Sequence, residues 1–467
     1  MIPMRLADMA EAVRAACPVG GGAVLVTGVT TDSRACRAGD LFVAVRGERF
    51  DGHDFVAQAA ARGAAACVVS RPVPSTPCPA LHVEDTVAAL GRLAVAHRRR
   101  LRATVIAVTG SNGKTTTKGM LHHLLGRRLR GRAAVRSFNN HLGVPLTLLS
   151  AEAEDEFLVV EIGSSGPGEV DHLGGMVEPE VGVVTSVGPA HLEGFGSIEG
   201  VRREKLSLLR RIRPGGLAVV HAGVPEAAVQ AARPPRVELV TFGRGDAGPP
   251  AEVCISDLRA GLEGVTFRIN AAEPLRLSVC GEHNALNAAA AYAVCRRLNL
   301  SRADIAEGLA SYAPADMRLN VRRCGDLTLI NDCYNANPAS VAAAIDLLAS
   351  AGGRRRVLAV GDMLELGADS RRWHERSGAH AAAAGLDVLI AVGTQAEAVA
   401  GAARAARPAI ETMTFGDSAA AAGEVGHWVR SGDVILVKGS RATAMERVAE
   451  AIVAWAGASG RSDAAVA

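Results

Sequence analysis

A chain of 467 residues is too long for one ordinary hydrophobic core, so two to three domains are expected. With 49% apolar and 21% charged residues it reads as a folded globular chain, which excludes a disordered one. A formal net charge of +3 gives no bulk attraction for nucleic acid or a membrane surface, and no uninterrupted apolar span is long enough to insert into a bilayer.

In chain order, residues 1–102 mix short strands over 41–45 and 66–69 with an Ala-rich helix over 54–62. A Pro-rich loop over 71–79 and a helix over 87–101 follow, placing the first boundary near Arg102. Residues 103–313 alternate strand and helix, with apolar strands over 157–162, 181–187 and 217–220 and a helix over 198–209. That alternation predicts a parallel sheet covered by helices. Residues 252–279 read instead as successive short strands with Gly turns, an antiparallel extension, before a helix over 284–298 and a hinge at Tyr312-Ala313-Pro314. Residues 314–467 alternate again, with strands over 327–331, 357–360, 388–392, 413–415 and 434–437. Polar residues at the ends of these strands predict ligand contacts there, since open parallel sheets bind outside their carboxyl edges. A cleft between the second and third blocks is where chemistry is expected.

The arginine triplets Arg98–Arg100 and Arg354–Arg356 are expected to be solvated rims, and the small, polar stretch 457–467 to fray. Nine cysteines with no CxxC pair argue for reduced thiols and against a zinc site. Met1 to Ala10 carries no apolar signal core, so a cytoplasmic location is expected.

The segment Val105 to Thr117 carries the sharpest signal: a β-branched apolar run enters Thr109-Gly110-Ser111-Asn112-Gly113-Lys114-Thr115-Thr116, with a helix predicted over 114–125. Glycines let backbone N–H groups approach phosphate oxygens, and the helix N-terminus favours negative charge. Lys114 would neutralise phosphate charge and the Thr115 hydroxyl would complete a Mg²⁺ shell. Val108 stands where the usual NTP loop has glycine, so this is a shortened variant.

Other candidates are graded by their surroundings. Glu161, ending an apolar strand, would alone pair with a neighbouring Arg; the phosphate loop beside it favours a metal role. His191, in a loop after a strand, fits a surface residue or a metal or phosphate contact. Lys205 on its helix reads alone as part of a solvated basic face. Asn284 and Asn287 can cap a helix or pair with a base edge. Asp332-Cys333-Tyr334-Asn335-Ala336-Asn337-Pro338 offers more polar groups than a helix cap requires, and Lys438-Gly439-Ser440-Arg441 puts two cations at a strand end, suited to an anionic group.

Together these segments resemble the Mur ligases, the ATP-dependent ligases of bacterial cell-wall assembly, over nearly the whole chain. The phosphate loop, Glu161-Ile162-Gly163, Gly281-Glu282-His283-Asn284 with Asn287, and Asp316-Met317-Arg318 appear in the family's order. Asp332 to Ser340, Gly361 to Gly367, Phe138 to Pro145 and His191 to Gly196 resemble the members that add D-alanyl-D-alanine. The resemblance implies an α/β fold of three domains: a small UDP-binding domain (1–102), a central P-loop ATPase-like parallel-sheet domain (103–313) and a C-terminal Rossmann-like domain (314–467). It implies ATP and Mg²⁺ as cofactors, and UDP-MurNAc-tripeptide and D-alanyl-D-alanine as substrates of a monomeric enzyme.

By the same resemblance, Gly110 to Thr116 hold the nucleotide phosphates, Asn287 faces the adenine, and Arg318 and Asp332 reach the nucleotide from across the cleft. Thr115, Glu161, His191 and a carbamylated Lys205 hold metal, with Lys114, His191 and Lys205 as the catalytic set. Ser33 and Arg34 lie where UDP binds, Asn139 and Asn140 contact substrate, and Asn335 and Asn337 contact the dipeptide. Lys205-Leu206-Ser207 stands where many relatives have Lys-Gly-Glu, and His221-Ala222-Gly223 where Asn-x-Asp is common. The implied reaction phosphorylates a carboxylate, whose resonance otherwise makes it a poor electrophile, and a free amine then displaces phosphate.

Overall fold

The computed structural model describes residues 1–74, 77–246, 248–351, 355–458 and 463–464; Arg354 and most of 457–467 lie outside the described residues. Three sheets organise an α/β fold, with a short antiparallel pair, Met4–Arg5 on Leu25–Val26, at the start. Among the described residues no helix is long and apolar enough to cross a membrane, and all nine cysteines are free thiols.

The first sheet is parallel, in the order Gly28–Thr30, Asp40–Val43, Ala66–Val69, Ala80–His82. Leu41, Phe42, Val43 and the run 66–69 are buried on both faces, which is why they read as continuous apolar stretches. The helix Thr86–Arg98 starts where the Asp85 carboxylate accepts the Val87 and Ala88 N–H groups. Its Leu90 and Leu93 enter one core that also holds Leu41, Val43 and Val68 of the first sheet and Val105, Leu158 and Val160 of the second. The first two sheets therefore share a hydrophobic interior.

Arg98 corrects the expectation of a solvated triplet. It is 1% exposed and donates from Nε to the Val177 carbonyl at 2.7 Å and from Nη2 to the Glu178 carbonyl and Glu180 carboxylate. A helix end leaves its last carbonyls without intrahelical partners, and this guanidinium supplies donors for them. Arg99 and Arg100 are exposed as expected.

The second sheet has nine strands, ordered Leu275–Leu277, Gly264–Ile269, Val253–Gly261, Glu238–Arg244, Leu217–His221, Val181–Val184, Thr104–Thr109, Phe157–Glu161, Gly131–Ala133. It is parallel from 253 onward in that order, and 253–277 forms the antiparallel extension. Thr104–Thr109 lies third from one edge, with strands that follow it in sequence on either side, a topological switch point. The strand expected over 181–187 stops at Val184, because Thr185 and Ser186 turn to serve the phosphate loop: Ser186 O accepts the Ser111 N–H and Ser186 Oγ the Asn112 N–H, both at 2.9 Å.

The third sheet runs Glu411–Phe415, Val388–Val392, Arg356–Gly361, Val434–Lys438, Leu327–Asp332, Asn320–Cys324, Asp463–Ala464. Its first five strands are parallel, and its buried clusters take only Cys280 and part of Leu262 from the central segment. The helix Pro338–Ser350 begins in a capping box between Asn337 and Ser340 with Pro338 at its first position, as the Asn-Pro signal suggests.

Candidate active site

The carboxyl edges of the second and third sheets face each other across a cleft of about 720 Å³. On one side Thr104–Thr109 delivers the loop 110–113 and the helix Lys114–Leu125, matching the predicted span. Gly110 and Gly113 sit at φ +146° and +84°, and a Cβ there would meet Thr185 Oγ1 at 2.1 Å and Asn287 Oδ1 at 2.2 Å. Both glycines are thus required by backbone conformation and by close approach. Lys114 Nζ folds back onto the Gly110 carbonyl at 2.6 Å, and burial pushes its ammonium down to about 8. Lys114, Thr115 and Thr116 open the helix, where backbone N–H groups have no intrahelical acceptor and can serve an anion.

Glu161 ends the neighbouring strand, in register with Val108, which brings its carboxylate beside the loop. It is 1% exposed. Oε1 accepts from Thr115 Oγ1 at 3.1 Å and Asn139 Nδ2 at 2.9 Å; Oε2 accepts no hydrogen bond and lies 3.4 Å from Lys118 Nζ. A buried carboxylate oxygen lacking a hydrogen-bond donor, beside a threonine hydroxyl at the phosphate loop, fits a hard divalent cation. No three His, Cys, Asp or Glu side chains converge as a ready-made metal cage among the described residues.

Lys205 lies in the helix Ile198–Leu206, whose N-cap is Ser197. It is not on a solvated face: it is 1% exposed, donates to Ser164 Oγ at 2.6 Å and stands 5.4 Å over the Phe195 ring. Burial, reinforced by the charge of Lys114, pushes its ammonium down to about 7. Its neighbour Glu204 turns away and accepts the Gly168 and Val170 N–H groups at 2.7 Å. Lys205 therefore reaches the cleft through Ser164, a lining residue, and is not itself in the wall. His191, at φ +52°, lines the cleft and its Nδ1 contacts the Glu365 carboxylate of the third domain; Glu365 is also left-handed, at φ +62°. The Glu193 N–H donates to the Glu365 carbonyl at 3.2 Å in the same clasp.

On the opposite wall Asp332 and Lys438 are register partners of adjacent parallel strands, and Lys438 Nζ reaches Asp332 Oδ2 at 2.5 Å and the Asn335 carbonyl at 3.0 Å. Asp332 Oδ1 also accepts the Leu319 N–H at 3.2 Å. The Arg318 guanidinium stacks on Tyr334, 4.1 Å from the ring centroid. Asn335 is exposed to the cleft, whereas Asn337 is held by its cap and by Asn112.

The cleft thus gathers the phosphate loop, Glu161, Asn139, Asn140, His191, Asn287, Arg318, Asp332, Asn335 and Asn337. Asn140 also accepts the Leu142 and Gly143 N–H groups, and Asn287 is tied to Thr117 and Asn284 as a post behind Gly113. Ser33 and Arg34 lie away from it in the first domain, Ser33 bonded to Gln58 at 2.6 Å and Arg34 to Asp32. Sequence reading passed over Lys118 and Ser164. Lys118 was signalled only by its spacing of four from Lys114, which puts both cations on one helix face.

Models of the Mur ligase family match most of the chain: the catalytic domain over 25–106, the middle domain over 108–295 and the glutamate ligase domain over 317–441. The chain is 35% identical to the UDP-N-acetylmuramoyl-tripeptide–D-alanyl-D-alanine ligase of Escherichia coli, over 92% of this chain and 95% of that one. It superposes on the crystal structure of MurF from Acinetobacter baumannii with a TM-score of 0.85 at 32% identity, covering 97% and 99% of the two chains. The MurF ligase of Thermotoga maritima in complex with ADP gives 0.80 at 29% identity, covering 93% and 99%. With three domain models in sequence and a relative above 30% identity matched over more than nine-tenths of both chains, the chain belongs to the Mur ligase family.

Proposed function

We propose that this chain is an ATP-dependent carbon–nitrogen ligase that joins D-alanyl-D-alanine to UDP-N-acetylmuramoyl-tripeptide, acting as a monomer in the cytoplasm. The carrying observation is that one cleft joins the phosphate loop to the 332–340 segment, Asn112 bonding directly to Asn337. The names of the relatives supply the substrates, and the ADP complex of one of them supports ATP. Residues 1–102 would hold the UDP end through Ser33 and Arg34, 103–313 the ATP, and 314–467 the dipeptide.

In this reading the first-turn amides of 114–116 and the Lys114 ammonium hold the phosphates and offset charge as the γ-phosphoryl passes to the tripeptide carboxylate. Asn139 orients Glu161, and Thr115 with Glu161 would hold Mg²⁺. That ion, when bound, supplies charge neutralisation at the phosphates. Lys205, desolvated toward its neutral form, is suited to add CO₂ and lose one proton, becoming a carbamate that with His191 would hold a second ion. Closure of the third domain excludes water that would hydrolyse the acyl phosphate before the dipeptide amine attacks.

Phosphate release with UDP-MurNAc-tripeptide and ATP tests this. Release is expected with D-alanyl-D-alanine, and not with meso-diaminopimelate, L-Lys or L-Glu. It should vanish in Lys114→Ala while the circular dichroism stays that of the parent. Release driven by one of the other acceptors, or near-normal turnover in that variant, would refute the reading.

A further inference from the structure

A dipeptide entering this cleft carries a neutral amine to the acyl phosphate and a carboxylate that needs a cationic partner. We infer that Arg441 is that partner and so determines specificity for a dipeptide with a free C-terminus. The inference rests on the proposed ligation.

The cleft's other cations are engaged elsewhere. Lys114 sits on the Gly110 carbonyl within the phosphate loop. Arg318 stacks on Tyr334, and its charge bears on Lys114 and Lys118, which places it on the phosphate side. Lys438 is 2% exposed and held by Asp332 and the Asn335 carbonyl. The lining histidines, His191, His221 and His283, belong to the central segment.

Arg441 also meets a carboxylate, but it lies on the third-domain wall and is far more exposed than Lys438. It opens the short turn Arg441–Thr443 beyond the strand Val434–Lys438, at the carboxyl edge of the third sheet, and its side chain is 57% exposed while lining the cleft. Nη1 donates to Glu446 Oε1 at 2.6 Å, a contact that fixes where the guanidinium lies. Nε and Nη2 remain, and one edge of the fork suffices to grip a carboxylate with two parallel hydrogen bonds.

The wall beside it suits the rest of a D-alanyl-D-alanine. Ala339 and Ala343, one turn apart on the helix Pro338–Ser350, line the same cleft with the exposed Leu364. These make a shallow apolar shelf at which methyl groups fit. Asn335 keeps its amide nitrogen for the peptide carbonyl, since its Oδ1 already accepts the Ala336 N–H at 2.9 Å.

The test compares D-alanyl-D-alanine with D-alanyl-D-alaninamide, which lacks the carboxylate, in the unaltered chain, Arg441→Ala and Arg441→Lys, using intact enzyme with ATP and the tripeptide substrate. Charge-assisted hydrogen bonds of this type are worth roughly 10- to 100-fold. The unaltered chain should prefer the free acid by about that factor. Arg441→Ala should lose the preference through a higher KM for the dipeptide, with KM for ATP and turnover of the amide unchanged within about threefold. Arg441→Lys should recover part of it, which also shows that the turn still folds. An undiminished preference for the acid in Arg441→Ala, or an equal loss of kcat on both acceptors, would overturn the assignment. No turnover of D-alanyl-D-alanine by the unaltered chain, with turnover of another acceptor, would overturn the reaction itself and this inference with it.

Discussion

Asn112 and Asn337, 225 positions apart, exchange side-chain hydrogen bonds across the cleft: Asn337 Nδ2 donates to Asn112 Oδ1 at 2.7 Å, and Asn112 Nδ2 returns to Asn337 Oδ1 at 3.3 Å. One asparagine is in the phosphate loop and the other caps the first helix of the third domain, so the pair ties the two walls of the cleft together. Asn337→Asp keeps the cap, because a carboxylate oxygen still accepts the Ser340 N–H, but removes the donor to Asn112. Small-angle scattering should show a larger radius for this variant, and KM should rise several-fold for ATP and dipeptide together. Asn337→Ala should add a stability loss of about 1 kcal/mol from the missing cap. An unchanged radius in Asn337→Asp would mean that the amide pair does not hold the domains together.

The buried Lys118–Glu161 pair predicts a metal-dependent stability. Lys118→Met leaves the Glu161 carboxylate without its ion-pair partner in a dry site, which should cost roughly 3 kcal/mol in thermal or urea unfolding. If Glu161 takes Mg²⁺, adding the ion should raise the melting temperature of Lys118→Met more than that of the parent. Equal Mg²⁺ shifts in both proteins would argue that the ion does not reach this carboxylate.

Lys205 is expected to be replaceable by an external carboxylate. Lys205→Ala should be severely impaired and partly restored by millimolar formate or acetate, which can enter the space beside Ser164 and Phe195 that the side chain leaves. Parent and variant should melt alike to within a few degrees. Failure of every short carboxylate to rescue, with a lysine found unmodified in a nucleotide-bound crystal, would dismiss the carbamate.

His97 gives the fold a pH dependence with a definite sign. It is fully buried, its Nε2 accepts the Ile2 N–H at 3.1 Å, and burial holds its imidazolium down to about 4. The folded form therefore binds its proton less readily than the unfolded chain, whose histidine titrates near 6.5. Its stabilisation is complete above pH 6.5 and is lost as pH falls toward 4, by roughly 3 kcal/mol across that window. Urea midpoints measured from pH 7.5 to 4.5 should fall more steeply for the parent than for His97→Gln, which still offers an acceptor to Ile2. Parallel curves would assign the acid sensitivity to other groups.

The parallel strands were legible because both faces are buried, leaving uninterrupted runs such as 66–69 and 388–392 whose ends the sequence marks with polar residues. The phosphate loop was legible for a different reason: its glycines, lysine and threonines are contiguous, so spacing alone carries the chemistry. What escaped notice depends on partners far apart in the chain. Arg98 is buried because it meets carbonyls 79 and 80 residues onward, and Lys118 because it meets Glu161. Strand 181–184 ends early because its next two residues serve a loop more than seventy positions behind. Local patterns reveal elements, while such pairings exist only once the topology has brought the strand ends together.

The interior shared by the first two sheets sets how the molecule can bend and come apart. Severing the chain near Arg102 would bare Leu90, Leu93 and Val105 together, so residues 1–102 are not a detachable module that could be expressed and studied alone. The third sheet's buried clusters take only Cys280 and part of Leu262 from the central segment, so it should melt separately. Calorimetry should accordingly resolve two cooperative transitions instead of three, with nucleotide drawing them together. A small molecule wedged between Asn112 and Asn337 would then act by propping the enzyme ajar, leaving both substrate sites intact and unable to meet.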